Sequence, residues 1–190
     1  MKPIRSLVLL LSLSLLLTGC SRGHAEAERL AGFYRNAPTI AARVEILADY
    51  GERAYAYTAS LSGSQAAGHL TVEAPESIAG TGTAWQDGVT TLDYDGIQLE
   101  TGALTPEGLS PAEGIASLLW TLSSGATSAW NRERWGEADA CLHLTMTHPT
   151  SEQTRWEVWG DPETGTLYHA ELYWQDSRVL SFTFSDFVIQ

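Results

Sequence analysis

The side chains able to do chemistry are few and do not cluster. Five histidines occur, His24, His69, His143, His148 and His169. His143 and His148 are five positions apart in one strand-like stretch, which sends them to opposite faces and opposes a shared metal site. Asp93 and Asp95 flank one turn and Glu163 lies in another, the usual place for solvated acids; no spacing singles out a glycosidase pair. The chain has no Gly-x-Ser-x-Gly, His-Glu-x-x-His, phosphate-loop or Cys-x-x-Cys pattern, so no nucleophile elbow, zincin helix, phosphate cradle or dithiol is expected. Cys141 opens a strand-like stretch with no basic residue nearby in sequence to stabilise a thiolate, so it reads as a buried structural thiol. These residues predict no catalytic site, no metal and no cofactor.

The second cysteine, Cys20, has a more definite setting. Lys2 and Arg5 precede an apolar run from Leu7 to Leu17 that is broken only by Ser12 and Ser14. A basic start, a short apolar core and small residues mark a secretory signal, and the run is shorter than the ~20 residues a spanning helix needs. The segment Leu17-Thr18-Gly19-Cys20 resembles the lipobox of bacterial lipoproteins. That resemblance implies cleavage before Cys20, a diacylglyceryl thioether on its sulfur, and stable anchoring on the extracytoplasmic face of a membrane, since two acyl chains hold where one does not. Residues 1–19 then form the signal peptide and 20–25 a lipidated tether.

Composition agrees with a tethered globule. The chain has 190 residues, 44% hydrophobic and 18% charged, ordinary for a folded domain. Beyond residue 19 no lysine remains, and nine arginines against 23 acidic residues leave a formal charge of -14. A nucleic-acid partner needs a basic face, so this class is excluded. Anionic headgroups would repel such a domain, which leaves the lipid on Cys20 to hold it at the membrane.

Binding chemistry is better supplied than catalytic chemistry. Seven tryptophans and seven tyrosines are present. Leu142, Leu144, Met146, Trp156, Trp174, Phe182 and Phe184 fall on strand-like stretches and are expected to line one concave face, with Leu118 and Leu119 of a helix above them. They serve either as a packed core or as the wall of a cavity for an acyl chain, where each buried methylene contributes ~0.8 kcal/mol. A second cluster, Trp130, Arg132, Arg134 and Trp135, lies in what reads as an irregular stretch after that helix. Trp, Tyr and Arg carry much of the energy of protein interfaces, and loops often carry binding residues, so this cluster is the candidate docking site for a protein partner.

The elements that must position these residues are mostly strands. Glu26 to Arg35 reads as a helix, with Leu30, Phe33 and Tyr34 at i, i+3 and i+4, ended by Pro38. The period then changes to two: Ile40, Ala42, Val44, Ile46 and Ala48 alternate with more polar residues. Strands are expected around Arg53–Leu61, Leu70–Val72, Thr81–Trp85, Thr90–Tyr94 and Ile97–Glu100. Asp87-Gly88 and Asp95-Gly96 between them are strong hairpin signals, because both turn positions need positive φ. Ser110-Pro111-Ala112-Glu113 caps a helix over 111–124 whose stripe is Ile115, Leu118, Leu119 and Leu122, with Gly125 as its stop. Four more strands follow, marked by Leu142–Met146, Trp156–Val158, Tyr168–Trp174 and Leu180–Phe184, with a turn at Asp161–Gly165. About ten antiparallel strands, a mid-chain helix and an N-terminal helix make one mainly β domain. A meander this long curls, and its concave face needs the amphipathic helix as a cover.

The closing segment, Asp161-Pro-Glu-Thr-Gly-Thr-Leu-Tyr-His-Ala-Glu-Leu-Tyr173 and then Val179-Leu-Ser-Phe-Thr-Phe-Ser-Asp-Phe187, resembles the final hairpin of the LolA-like superfamily of lipoprotein carriers and related envelope proteins. Ala74-Pro-Glu-Ser-Ile-Ala-Gly80, Tyr94-Asp-Gly-Ile-Gln-Leu99 and Gly108-Leu-Ser-Pro-Ala112 are similar to lipidated members from spore-forming, single-membrane bacteria, among them a clostridial germination lipoprotein that partners a cortex-processing amidase. The resemblance spans 25–190. It implies that 26–190 is an incomplete antiparallel β-barrel with a helical lid over an apolar cavity. It further implies a non-enzymatic envelope lipoprotein that binds a protein partner such as a cell-wall hydrolase, or else carries or accepts a lipid or lipoprotein acyl chain. A protein itself tethered by lipid cannot shuttle freely, which favours an acceptor or a partner-binding module.

Overall fold

The computed structural model of the chain describes residues 23–36, 39–103, 108–136 and 138–190, and of 101–103 and 138–140 the backbone only. The signal peptide, Cys20 and Pro38 lie outside the described residues.

The first helix, α1, covers 23–35, so it is already helical three residues ahead of the start that its apolar spacing marks. Strands β1 (Ile40–Asp49), β2 (Ala54–Gly63), β3 (Ala67–Ala74), β4 (Gly82–Gln86), β5 (Val89–Tyr94) and β6 (Ile97–Ala103) follow. Helix α2 (Pro111–Ser124) comes next, and then β7 (Ala126–Trp135), β8 (Ala138–His148), β9 (Ser151–Gly160), β10 (Leu167–Trp174) and β11 (Ser177–Ile189). All eleven strands form one antiparallel sheet in the order β6-β5-β4-β3-β2-β1-β11-β10-β9-β8-β7. The two halves of the chain are meanders that join where β1 pairs with β11, for example Val44 opposite Phe184.

Local chemistry explains most of the boundaries. Asp87 and Gly88 take φ of 50° and 80°, and Asp95 and Gly96 take 52° and 76°. These are the left-handed pairs that two-residue hairpins require. Gln175 and Asp176 do the same at 48° and 67° without a glycine. The capping box of α2 forms as the sequence implies: Ser110 Oγ accepts from the Glu113 amide at 3.4 Å and donates to the Glu113 carboxylate at 2.8 Å. Gly125 ends the helix, but with an ordinary φ of -75°. Its need for glycine comes from close approach, because a Cβ there would lie 2.5 Å from the Thr121 carbonyl oxygen and 2.8 Å from that of Thr147.

The stretch 126–135, expected to be irregular, is the edge strand β7 and brings the count to eleven. All of its residues are exposed or half-buried. An edge strand open to water on much of its surface has no inward apolar row, so no period of two is written into it.

Among the described residues the sheet is open, with β6 and β7 as its edges, and it is curled. Helix α2 packs on both β4 and β8, strands with six others between them in the sheet order. Strands lie ~4.8 Å apart, so a flat sheet would put these two out of reach of one helix. Gly114 in the first half of α2 lies against β11, where an added Cβ would meet Leu180 at 2.7 Å and Phe182 at 2.9 Å. The result is an incomplete antiparallel barrel with a helix across its concave face.

Candidate ligand-binding cleft

The concave face divides into a filled half and an open half. On the β7–β11 side, Leu142, Leu144 and Met146 of β8, Trp156 of β9 and Phe182 of β11 have no exposed surface. Leu118 and Leu119 of α2 and Phe184 of β11 are buried with them, while Trp174 is half-buried at the end of β10. Ala27, Leu30 and Tyr34 of α1 join the same cluster. The Tyr34 hydroxyl donates to the Gly165 carbonyl, so the turn at 161–165 receives the helix. Eight of the nine residues named as cavity candidates therefore form one packed core with the two helices.

On the other side, the first turn of α2 stands off the sheet and leaves an apolar cleft of about 460 Å³. Ile46 and Tyr57 form its floor on β1 and β2, Leu70 and Val72 continue it on β3, and Leu92 closes it on β5. Pro111 and Ala112 are its roof, with the Ser110–Glu113 capping box at one rim. None of the nine residues nominated from the sequence lines it.

The cleft exists where inward-facing threonines of the sheet meet the small residues that open α2. Register puts Leu61, Leu70, Thr83 and Leu92 in one row across β2–β5, and Thr81 and Thr90 also line the space. Against these the helix offers Pro111 and Ala112, whereas one turn later it offers Ile115, Leu118 and Leu119. Threonines facing a helix end of proline and alanine leave part of the curled sheet unfilled at normal packing density. The signal was present in the chain as threonines at the inward positions of β4 and β5. Methyl groups and a few hydroxyls are suited to hold an aliphatic chain in one orientation, and a cleft of this size falls in the ordinary range for small-molecule sites, roughly 300–1,000 Å³.

The proposed docking cluster is split by the fold. Trp130 and Arg132 lie opposite Leu144 and Leu142 in the register and so face the concave side. There Arg132 makes a bidentate pair with Glu26 of α1, at 3.0 and 2.6 Å. Trp135 lies on the outer face, stacked on His169 at 4.0 Å and beside Trp159 at 5.1 Å. Arg134 is exposed.

Trp135 belongs to an outer-face network that sequence reading missed. His143 stacks on Trp159 at 4.2 Å. Its Nε2 lies 2.7 Å from the Glu157 carboxylate and its Nδ1 3.2 Å from that of Glu133. Beside it, Glu171 contacts His169 at 3.5 Å, pairs with Arg178 at 2.6 Å and accepts from the Tyr173 hydroxyl at 2.9 Å. His169, and then Arg178 and Tyr173, outweigh burial and hold the Glu171 carboxyl at about 2. These residues come from five strands, β7 to β11, and strand pairing brings the five together. Among the described residues no His, Cys, Asp and Glu cluster is arranged to hold a metal ion. Cys141 donates to the Glu133 carbonyl at 3.2 Å, and burial, helped by the Glu133 charge, pushes its thiol pKa up.

No family model and no curated protein matches this sequence. Solved structures do match in shape. A DUF1329 family protein from Desulfovibrio piger superposes with a TM-score of 0.50 at 10% identity, covering 90% of this chain and 92% of that one. A LolA superfamily protein from Nitrosomonas europaea gives 0.49 at 11% identity over 88% and 93%. The Mycobacterium tuberculosis lipoprotein LppX gives 0.47 at 12% identity over 88% and 95%. At such identities the likeness is one of fold. The incomplete barrel with a helical lid, expected from the sequence, is the architecture observed. No helix among the described residues is long and apolar enough to cross a membrane.

Proposed function

We propose that this protein is an extracytoplasmic, non-catalytic binding module, held to a membrane through lipid on Cys20, which takes the acyl chain of a lipid or lipoprotein into the cleft between α2 and β1–β5. One observation carries the reading: the inner face of the sheet is packed solid on one side and left open over about 460 Å³ on the other. Affinity would come from methylenes leaving water, at about 0.8 kcal/mol each, and needs no charged group.

Native mass spectrometry of Ser21–Gln190 after exposure to a lipid-rich extract tests this. The expected result is a co-purifying acyl lipid that is lost in Val72→Trp, whose indole fills the cleft, while circular dichroism stays unchanged. A clean apo mass for the wild-type chain rejects the reading.

A protein partner is the second reading, and one surface favours it. Tyr94 at the end of β5 and Ile97 and Leu99 of the edge strand β6 are 56%, 70% and 60% exposed. They lie on the same face as Leu92 of the cleft, and an open edge accepts an added strand. The resemblance to germination lipoproteins makes a cell-wall hydrolase the partner class to try. In a pull-down with such a hydrolase, Ile97→Asp with Leu99→Asp is expected to lose the complex.

A further inference from the structure

We propose that the β7 edge is the surface on which the tethered protein rests against its own membrane, the occupant being the lipid–water interface. The proposal rests on the reading of Cys20 as the lipidated residue. Cys20 is three residues ahead of Gly23, and an extended chain spans at most ~3.6 Å per residue, so the anchor is held within about 11 Å of Gly23. Gly23 itself sits on the indole of Trp130: a Cβ added there would fall 1.9 Å from its ring carbons. One turn on, Glu26 is clamped by Arg132. From this point α1 runs inward across the sheet, with Leu30 against Gly160 and Tyr34 on the Gly165 carbonyl. The tether therefore leaves the domain at the β7 edge and nowhere else.

Charge is least unfavourable at the same corner, where Arg29 is paired with Glu163 and Arg132 with Glu26. Residues 20–29 and β7 together carry four arginines and three glutamates, while the rest of the mature chain carries five arginines and 20 acids. An anionic leaflet repels the acidic remainder and tolerates this patch. Trp130 is 37% exposed and Arg132 and Arg134 are exposed beside it. Indole rings settle at the headgroup level, and arginine stems lie along apolar surface with the guanidinium in water. Seven strands separate β7 from β4 in the sheet order, so the cleft lies in the half of the sheet that does not hold the tether.

The full lipidated chain in vesicles of phosphatidylcholine and phosphatidylglycerol tests this. A single cysteine is added at an exposed site, Ala129→Cys on β7 or Gln98→Cys on β6, and labelled with an environment-sensitive fluorophore. Cys141 is buried, with its thiol pKa raised, so the added thiol is the one that reacts. Spin-labelled headgroups are expected to quench the label at 129 and to leave that at 98 bright. Equal quenching, or stronger quenching at 98, with Cys20 shown by mass to carry lipid, overturns the orientation alone. A mature chain without lipid on Cys20 overturns both the orientation and the tether.

Discussion

Glu171 sits among groups that favour its charged form. His169, Arg178 and Tyr173 surround its carboxylate, and together they hold its pKa at about 2, against an ordinary 4.5. A carboxyl depressed in the fold stabilises the protein fully above its unfolded pKa and loses that contribution as pH falls towards the folded value. Glu171→Gln is therefore expected to lower the melting temperature at pH 7. The gap from wild type should shrink as pH drops from about 4.5 to about 2, where half of the wild-type carboxyl is protonated. Thermal melts across that range check it, and a gap independent of pH would mean that the charge contributes nothing. Sequence alone gave no hint of this site: Glu171 and His169 alternate with Ala170 and Leu172 as any half-exposed strand would, and Arg178 joins them only by pairing.

Among the elements, α2 decides the most. Its cap, stripe and end were legible because each is local: Ser110 and Glu113 are three residues apart, and Ile115, Leu118 and Leu122 repeat at the helical period. How it seats was not legible. Gly114 looks like a defect in a helix, where alanine is favoured by about 1 kcal/mol. In the fold it is the point of closest approach to Leu180 and Phe182. Gly114→Ala is expected to destabilise by roughly 1–3 kcal/mol, the range for overpacked cores, in spite of its better propensity. Urea unfolding measures this, and a more stable variant would show that the helix can shift outward. The edge strand β7 is the opposite case. Its structure comes from pairing with β8 and not from its own pattern, so Trp130, Arg132, Arg134 and Trp135 looked like neighbours in a loop when the strand sends them to two faces.

For the whole molecule the asymmetry between the two halves of the concave face should be visible in stability. Leu118→Ala empties a site in the packed half and is expected to cost about 2–5 kcal/mol. Val72→Ala removes a half-buried side chain that borders the cleft, and its cost is expected below about 1.5 kcal/mol because little cavity is added. The midpoints of urea denaturation compare the two directly, and equal losses would mean that the cleft is closed in solution.

The chain by itself determined the strand and hairpin positions, the capped helix and, through resemblance, the half-barrel. These rest on contacts between residues a few positions apart: a period of two, a cap three residues ahead of its acid, an Asp-Gly pair with the left-handed φ a hairpin needs. Tertiary structure alone decided which half of the sheet the helix fills. An inward-facing leucine on β3 and one on β8 carry the same alternation, yet Leu144 is sealed while Leu70 borders open space. The difference is set by where a curled sheet meets α2, whether at Pro111 and Ala112 or at Leu118 and Leu119, and that meeting joins residues tens of positions apart. The outer network of His143, Trp159, Glu157 and Trp135 and the docking of Gly23 on Trp130 follow from the same cause.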